Sequence, residues 1–151
     1  FRAASHVQDF LPISKRDILL FGGCAEGWKR ALKQAGVSID DLSFVETHDC
    51  FTIAELIEYE GMGLAKPGEG AKAALEAQTA MGGRLPVNPS GGLKAKGHPI
   101  GASGVSMHVL SSMQLTGEAG GIQVPDAKLA GIFNMGGAAV ANYVSVLERI
   151  K

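Results

Sequence analysis

Apolar positions along the chain fall into an alternation of strand-like and helix-like segments. Phe1 to Val7 (FRAASHV) predicts a strand, and SHVQDFLPISKRD reads as a long connection out of it. From about Asp17 to Ala35 the residues Phe21, Ala25, Trp28, Leu32 and Ala35 recur at helical intervals with Lys29, Arg30 and Lys33 between them, and Gly36 ends the run. Gly22-Gly23 weakens the first turn of that helix. Cys24 lies on its apolar side and is expected in the core. Asp40-Asp41 marks a turn, Leu42 to Glu46 predicts a short strand, and TIAELIEYEG after Phe51 is helical. Gly61 to Gly83 is an excursion with a short helix over Gly70 to Ala80, and Leu85 to Asn88 is a short extended piece. Ala102 to Leu115 carries Val105, Val109, Leu110 and Met113 at helical spacing, with Gly117 as its stop. Leu129 to Asn134 and Ala138 to Leu147 are strands joined through Met135-Gly136-Gly137, a link short enough to require an antiparallel hairpin. The last strand is apolar on both faces and so belongs in the middle of the sheet or under a cover. The order implies an α/β fold, a mixed five-stranded sheet covered by helices.

Composition narrows the classes without naming one. The 151 residues suffice for one domain with its own core, and 46% hydrophobic against 19% charged residues is an ordinary globular balance. A net charge of −1 provides no electrostatic footprint for nucleic acid, and no run approaches a membrane span or a signal peptide. Cys24 and Cys50 form no C-x-x-C, which argues against a disulfide framework or structural zinc and for a reducing, cytoplasmic setting. The chain starts at Phe1 directly in a strand-like segment, and we expect a piece of something longer.

Three places bear candidate chemistry. Asn88 to Gly104 (NPSGGLKAKGHPIGASG) sets His98 among glycines and prolines, more backbone freedom than a packed core requires. Pro99 fixes the approach of the His98 ring, and the helix that follows offers oriented N–H groups for an anion or a developing oxyanion. At the carboxyl end of the Leu42–Glu46 strand stand Thr47, His48, Asp49, Cys50 and Phe51. Either Asp49 caps the next helix with Cys50 in its first turn, or Thr52 and Glu55 form a capping box with Cys50 just outside. Both arrangements put the thiol near a helix N-terminus, where its pKa should fall toward neutrality and make it a usable acid or base. His48 is its neighbour in the same turn, although it could simply cap or pair with Asp49. Gly136, after Asn134, is expected in a tight turn where its N–H could face a site, or merely enable the turn.

Other chemistries fit less well. Asn88–Gly104 has neither G-x-G-x-x-G after a strand nor the Lys-Ser/Thr ending of a phosphate loop, and neither Ser90 nor Ser103 sits in a G-x-S-x-G elbow. His48, Cys50 and His98 could share a metal, but nothing in their spacing favours one.

Four motifs in one order supply a further argument. HDCF at His48–Phe51, NPSGG at Asn88–Gly92, GHPIGASG at Gly97–Gly104 and FNMGGAA at Phe133–Ala139 together resemble the C-terminal half of thiolases, over nearly the whole chain. The HDCF form is most similar to the sterol-carrier-protein and archaeal-type branch, since most thiolases carry NEAF there. The resemblance implies a domain spanning residues 1–151 whose nucleophile-bearing N-terminal half lies elsewhere, on the same protein or a partner chain. It implies acyl exchange between coenzyme A thioesters through an acyl-cysteine, with coenzyme A as substrate, no further cofactor or metal, and a homo-oligomeric parent. His98 would deprotonate the nucleophilic cysteine and donate to the thioester oxygen. His48 would help hold a water at the first oxyanion hole, and the Gly136 N–H would serve the second. Asn134 stands where most thiolases have an acid–base cysteine, a role that in the HDCF branch passes to Cys50. The isolated chain would then be inactive and would expose an apolar face made for the other half. The alternative is a noncatalytic, thiolase-derived subunit that binds coenzyme A esters or lipids.

Overall fold

The computed structural model describes residues 1–150 and folds them as one mixed sheet with helices on both faces. Its strands are β1 (Ala3–Gln8), β2 (Phe44–Glu46), β3 (Leu129–Gly136) and β4 (Ala141–Glu148), and its helices are α1 (Gly22–Ala35), α2 (Thr52–Gly61), α3 (Gly70–Leu75), α4 (Gly92–Lys96) and α5 (Ser103–Thr116). The strand order is β1-β4-β3-β2. β4 runs antiparallel to both β1 and β3, while β2 lies parallel to β3. The strand read as apolar on both faces is therefore internal, as its composition requires.

Side-chain alternation splits the core in two. Phe133 and Met135 of β3, with Val144 and Val146 of β4, face α1 and α2, where Cys24, Trp28 and Ala31 complete the larger cluster. Ala130 and Ile132 of β3 face the other way, onto Met107 and Leu115 of α5, together with Phe44, Val124 and Leu147. α1 lies close on the sheet because it presents glycine to it. A Cβ on Gly27 would stand 3.1 Å from Val144 Cγ2, and one on Gly131 of β3 would meet the Trp28 ring at 2.7 Å. Cys24 is completely buried and its thiol is held well above its ordinary pKa, mainly by burial, so it is an inert packing residue.

Several sequence expectations need correction. The sheet has four strands rather than five, because the segment Leu85 to Asn88 contributes only an isolated parallel bridge, Val87 to Val45, before Asn88 turns away at φ 52°. The helix read from about Asp17 begins at Gly22, since Phe21 adopts φ 41° and breaks the helical path before it. The helix read to Ala80 stops at Leu75, two residues before Ala77 turns left-handed at φ 55°. Gly136 lies in β3, and the hairpin turn falls one residue later, at Gly137, Ala138 and Ala139, all with positive φ. The glycine-rich stretch contains a short helix, α4, which glycine content alone conceals. No helix among the described residues is long and apolar enough to cross a membrane.

Candidate active site

The end of β2 organises the site, because almost every polar residue there grips the Asn88–Gly104 stretch. Buried Glu46 accepts from the Ser90 main-chain N–H (3.1 Å) and from Ser90 Oγ (2.7 Å), with Lys96 Nζ 3.7 Å away. Burial raises the Glu46 pKa, while Ser90 and Lys96 pull it back. The Thr47 N–H donates to Asn88 Oδ1 at 2.8 Å, and Asn88 Nδ2 donates to Glu55 Oε1 of α2 at 3.0 Å. Asp49 Oδ1 accepts the Leu93 N–H at 2.7 Å and so caps α4. At Gly92, where φ is +70°, a Cβ would fall on the Asp49 carboxylate, so a glycine is required there both by conformation and by space. These bonds hold the backbone that delivers His98.

Neither sequence alternative for the start of α2 is realised. Phe51 is the N-cap residue and makes no side-chain cap bond, because Asp49 is committed to α4 and Thr52 is already helical. Cys50 therefore lies one residue before the cap. Its thiol pKa is raised, not lowered: burial is the largest cause, the Glu58 carboxyl adds to it, and main-chain N–H groups of Phe51 and Cys50 oppose it. The expected fall toward neutrality is overturned, and Cys50 rests as a protonated thiol.

His48 and His98 meet edge to face, with ring centroids 4.8 Å apart and planes at 81°. Each has one nitrogen occupied by a short hydrogen bond. His48 Nδ1 lies 2.6 Å from Asn134 Oδ1, and because that oxygen only accepts, His48 carries its proton on Nδ1. Burial chiefly lowers the His48 pKa, keeping the ring neutral with Nε2 free to accept. His98 Nδ1 lies 2.6 Å from Ser103 Oγ, which itself sits 3.3 Å from the Pro99 carbonyl. The hydroxyl has one proton, and donating it to Pro99 leaves a lone pair for an Nδ1–H of His98. In that arrangement His98 Nε2 is the bare, basic nitrogen.

Cys50, His48, His98 and Gly136 together line one cleft of about 400 Å³. A larger cavity of about 870 Å³ adjoins it across His48, His98 and Gly136 and extends over Tyr143, Ser145 and His108. Gly136 is exposed, does not need a positive φ, and a Cβ there would have no neighbour within 4 Å. Nothing in this chain demands a glycine at that point, and the strand end there is open to the approach of another group. Among the described residues no set of three or more His, Cys, Asp or Glu side chains gathers as a metal site.

The four sequence-derived site residues are thus brought together. The groups that orient them carry no motif of their own. Asn134, named with Gly136 at the third candidate place and as the residue standing for a cysteine, holds His48. Ser103, which sits in no G-x-S-x-G elbow, holds His98, and its position as the first residue of the helix after the histidine loop is the available signal.

A family model described as thiolase C-terminal domain-like matches residues 5–149. The chain belongs to the thiolase C-terminal domain-like family. It is 38% identical over 135 residues to the acetyl-CoA acetyltransferase of Methanothermobacter thermautotrophicus, covering 89% of this chain and 35% of that protein. It is also 44% identical over 116 residues to sterol carrier protein 2 of Bos taurus, covering 76% of this chain and 21% of that protein. Among solved structures, the Ltp2-ChsH2(DUF35) aldolase superposes with a TM-score of 0.83 at 18% identity, over 99% of this chain and 39% of the other. A monomeric SCP2-thiolase-like protein type 1 from Mycobacterium smegmatis gives 0.64 at 18% identity, over 99% of this chain and 29% of the other. At such identities the structural likeness establishes a thiolase-like fold. The chain spans about a third or less of the length of the two curated relatives.

Proposed function

We propose that the chain is the acid–base half of a thiolase-type acyltransferase acting on coenzyme A thioesters, with the nucleophilic cysteine supplied by a segment outside it. The observation that carries this reading is the convergence of His98, His48, Cys50 and Gly136 on one cleft, with each imidazole presenting Nε2 as its free nitrogen. Neither cysteine of this chain suits the nucleophile's part, Cys24 being buried in the core and Cys50 resting as a thiol.

For thiolysis of a 3-oxoacyl thioester the proton balance runs through these residues. His98 Nε2 takes the proton of the nucleophilic cysteine, whose sulfur attacks the 3-keto carbon. The bond between carbons 2 and 3 breaks, and the Cys50 thiol protonates the departing acetyl-thioester carbanion. A raised thiol pKa suits this step, since the group must hold a proton at neutral pH. The Cys50 thiolate then takes the proton of incoming coenzyme A, whose sulfur attacks the acyl-cysteine. The expelled cysteine thiolate recovers its proton from His98. His48 Nε2 accepts from a bound water whose other proton is donated to the thioester oxygen, and the Gly136 N–H serves the oxyanion of the tetrahedral intermediate. Coenzyme A enters as a substrate, and no other cofactor is required by these steps.

The test is thiolysis of acetoacetyl-CoA by the full-length parent, as wild type, Cys50→Ala and His98→Ala. Loss of at least a hundredfold in kcat in both folded variants is the expected result. A wild type that binds coenzyme A esters yet turns none over would sink the enzymatic reading in favour of a noncatalytic binding subunit.

A further inference from the structure

Each of the two facing histidines is preceded, two residues earlier, by a charged side chain, and the two charges meet. Glu46 stands before His48 and Lys96 before His98, and Lys96 Nζ lies 3.7 Å from Glu46 Oε2, with the two side chains only 13% and 1% exposed. Alternation along the end of β2 sends Thr47 to Glu58 of α2, while Glu46 reaches Ser90 and His48 reaches Asn134. The Lys96 ammonium also donates to Ser106 Oγ at 3.1 Å, and that hydroxyl donates to the Ser103 carbonyl at 2.9 Å. Lys96 is thus fastened on one side to the strand that leads to His48 and on the other to the start of α5, where Ser103 Oγ meets His98.

We infer that the buried Glu46–Lys96 ion pair is a positioning device, which fixes the register of the His98 loop against the strand end that carries His48. The inference rests on the acid–base reading above and adds two positioning residues to it. Cohesion alone does not account for the pair. Taking an ammonium and a carboxylate out of water cancels most of what their attraction returns, so such a pair adds little net stability and its use is to select one arrangement. The loop needs an anchor at that point. Gly97 takes φ 94° and Gly101 φ 78°, so His98, Pro99 and Ile100 hang between two glycines with wide backbone freedom. Lys96 is the last residue of α4 before that freedom begins. Ser103 then orients the ring, while the ion pair sets where its backbone sits. Neither Glu46 nor Lys96 lines the cleft or the cavity beside it, so both act through the histidines.

A reacting group misplaced by about 1 Å can cost roughly a hundredfold in rate. The experiment measures kcat and KM for thiolysis of acetoacetyl-CoA, together with the urea midpoint, in the full-length parent. It compares wild type, Lys96→Met, and the double variant Glu46→Gln with Lys96→Met. The single variant leaves a buried carboxylate without its cation and should lower the midpoint. The double variant removes that charge and keeps an amide able to bond Ser90, so its midpoint should return close to that of wild type, and it carries the test if the single variant does not fold. The expected result is a fall in kcat of at least about tenfold in the double variant, with KM within about twofold of wild type: stability is regained and alignment is not. A double variant whose kcat is within about twofold of wild type overturns the positioning and leaves the acyltransferase reading standing. So does a double variant whose midpoint stays as low as that of Lys96→Met, since the pair would then hold the fold rather than the register. A wild type without turnover overturns both.

Discussion

Replacing Ser103 by alanine tests whether the orientation of His98 is set from behind the ring. Ser103 is 5% exposed, and its Oγ sits 2.6 Å from His98 Nδ1 and 3.3 Å from the Pro99 carbonyl. Deleting it removes one neutral hydrogen bond, worth about 0.5 to 1.5 kcal/mol. If that bond selects the tautomer with a free Nε2, its loss appears in the step where His98 accepts a proton, as a fall in kcat of about twofold to twelvefold. His98 is exposed in this chain and water can replace part of the lost bond, so the lower half of that range is expected. KM for acetoacetyl-CoA should move less than about twofold, because Ser103 acts through the histidine. Steady-state kinetics of the full-length parent supply the numbers. Ser103→Thr is the control, since it keeps the hydroxyl and should return kcat to within about twofold of wild type. Unchanged kcat in the alanine variant, or a threonine variant as slow as the alanine one, would refute the argument.

Gly136→Ala separates fold from function: with no neighbour within 4 Å of the added methyl and no positive φ, stability should change by less than about 1 kcal/mol in urea unfolding. The same variant should lose turnover at least about tenfold, because the methyl occupies the approach to the strand end. Glu58 offers a pH prediction. It is fully buried, accepts from Thr47 Oγ1, and its Oε1 has no partner among the described residues. Its pKa is raised well above 4.5, first by burial and then by Glu55 and Asp49. The folded state therefore binds more protons than the unfolded one above pH 4.5, and this group costs stability as pH rises toward its folded pKa. Glu58→Gln should remove that slope, so the difference in urea midpoint between variant and wild type grows in the variant's favour from pH 5 to pH 8. A difference that is constant with pH would refute it.

The elements that the sequence made legible are those whose signal is local. β4 reads as internal because its apolar residues do not alternate, and α5 ends at Gly117 because glycine there takes φ 79°. The misread elements depend on distant partners. α4 exists because a carboxylate 44 residues earlier, Asp49, caps it, and no pattern within GGLKAK announces that bond. The missing fifth strand has the same cause, since the chain leaves the sheet at Asn88, where the side chain is recruited by Thr47 and Glu55. For the site, residue types and order sufficed to gather His48, Cys50, His98 and Gly136. The electrostatics did not follow, because proximity to a helix start argues for a lowered thiol pKa, whereas the buried walls and Glu58 decide the opposite.

The outward face of α5 ties stability to function. Met107 and Leu115 pack inward, yet Val105, Val109 and Met113 remain 65%, 52% and 36% exposed on the opposite side. A helix apolar on two faces lacks one of its layers. Covering these three side chains would be worth on the order of 3 kcal/mol in total, taking about 1.5 to 3 kcal/mol for complete burial of each and scaling by exposure. The about 870 Å³ cavity over His98, Asn134 and Tyr143 is lined by the same helix, through Val105 and His108. Whatever covers α5 therefore also walls the cavity beside His98. In the proposed parent a single body, the nucleophile-bearing half, would bring the attacking sulfur, exclude water from the imidazoles and bury the apolar helix face. Docking and assembly of the active site would then be one event, in keeping with histidines held firmly from β2 and α4 beneath a cleft that this chain leaves open.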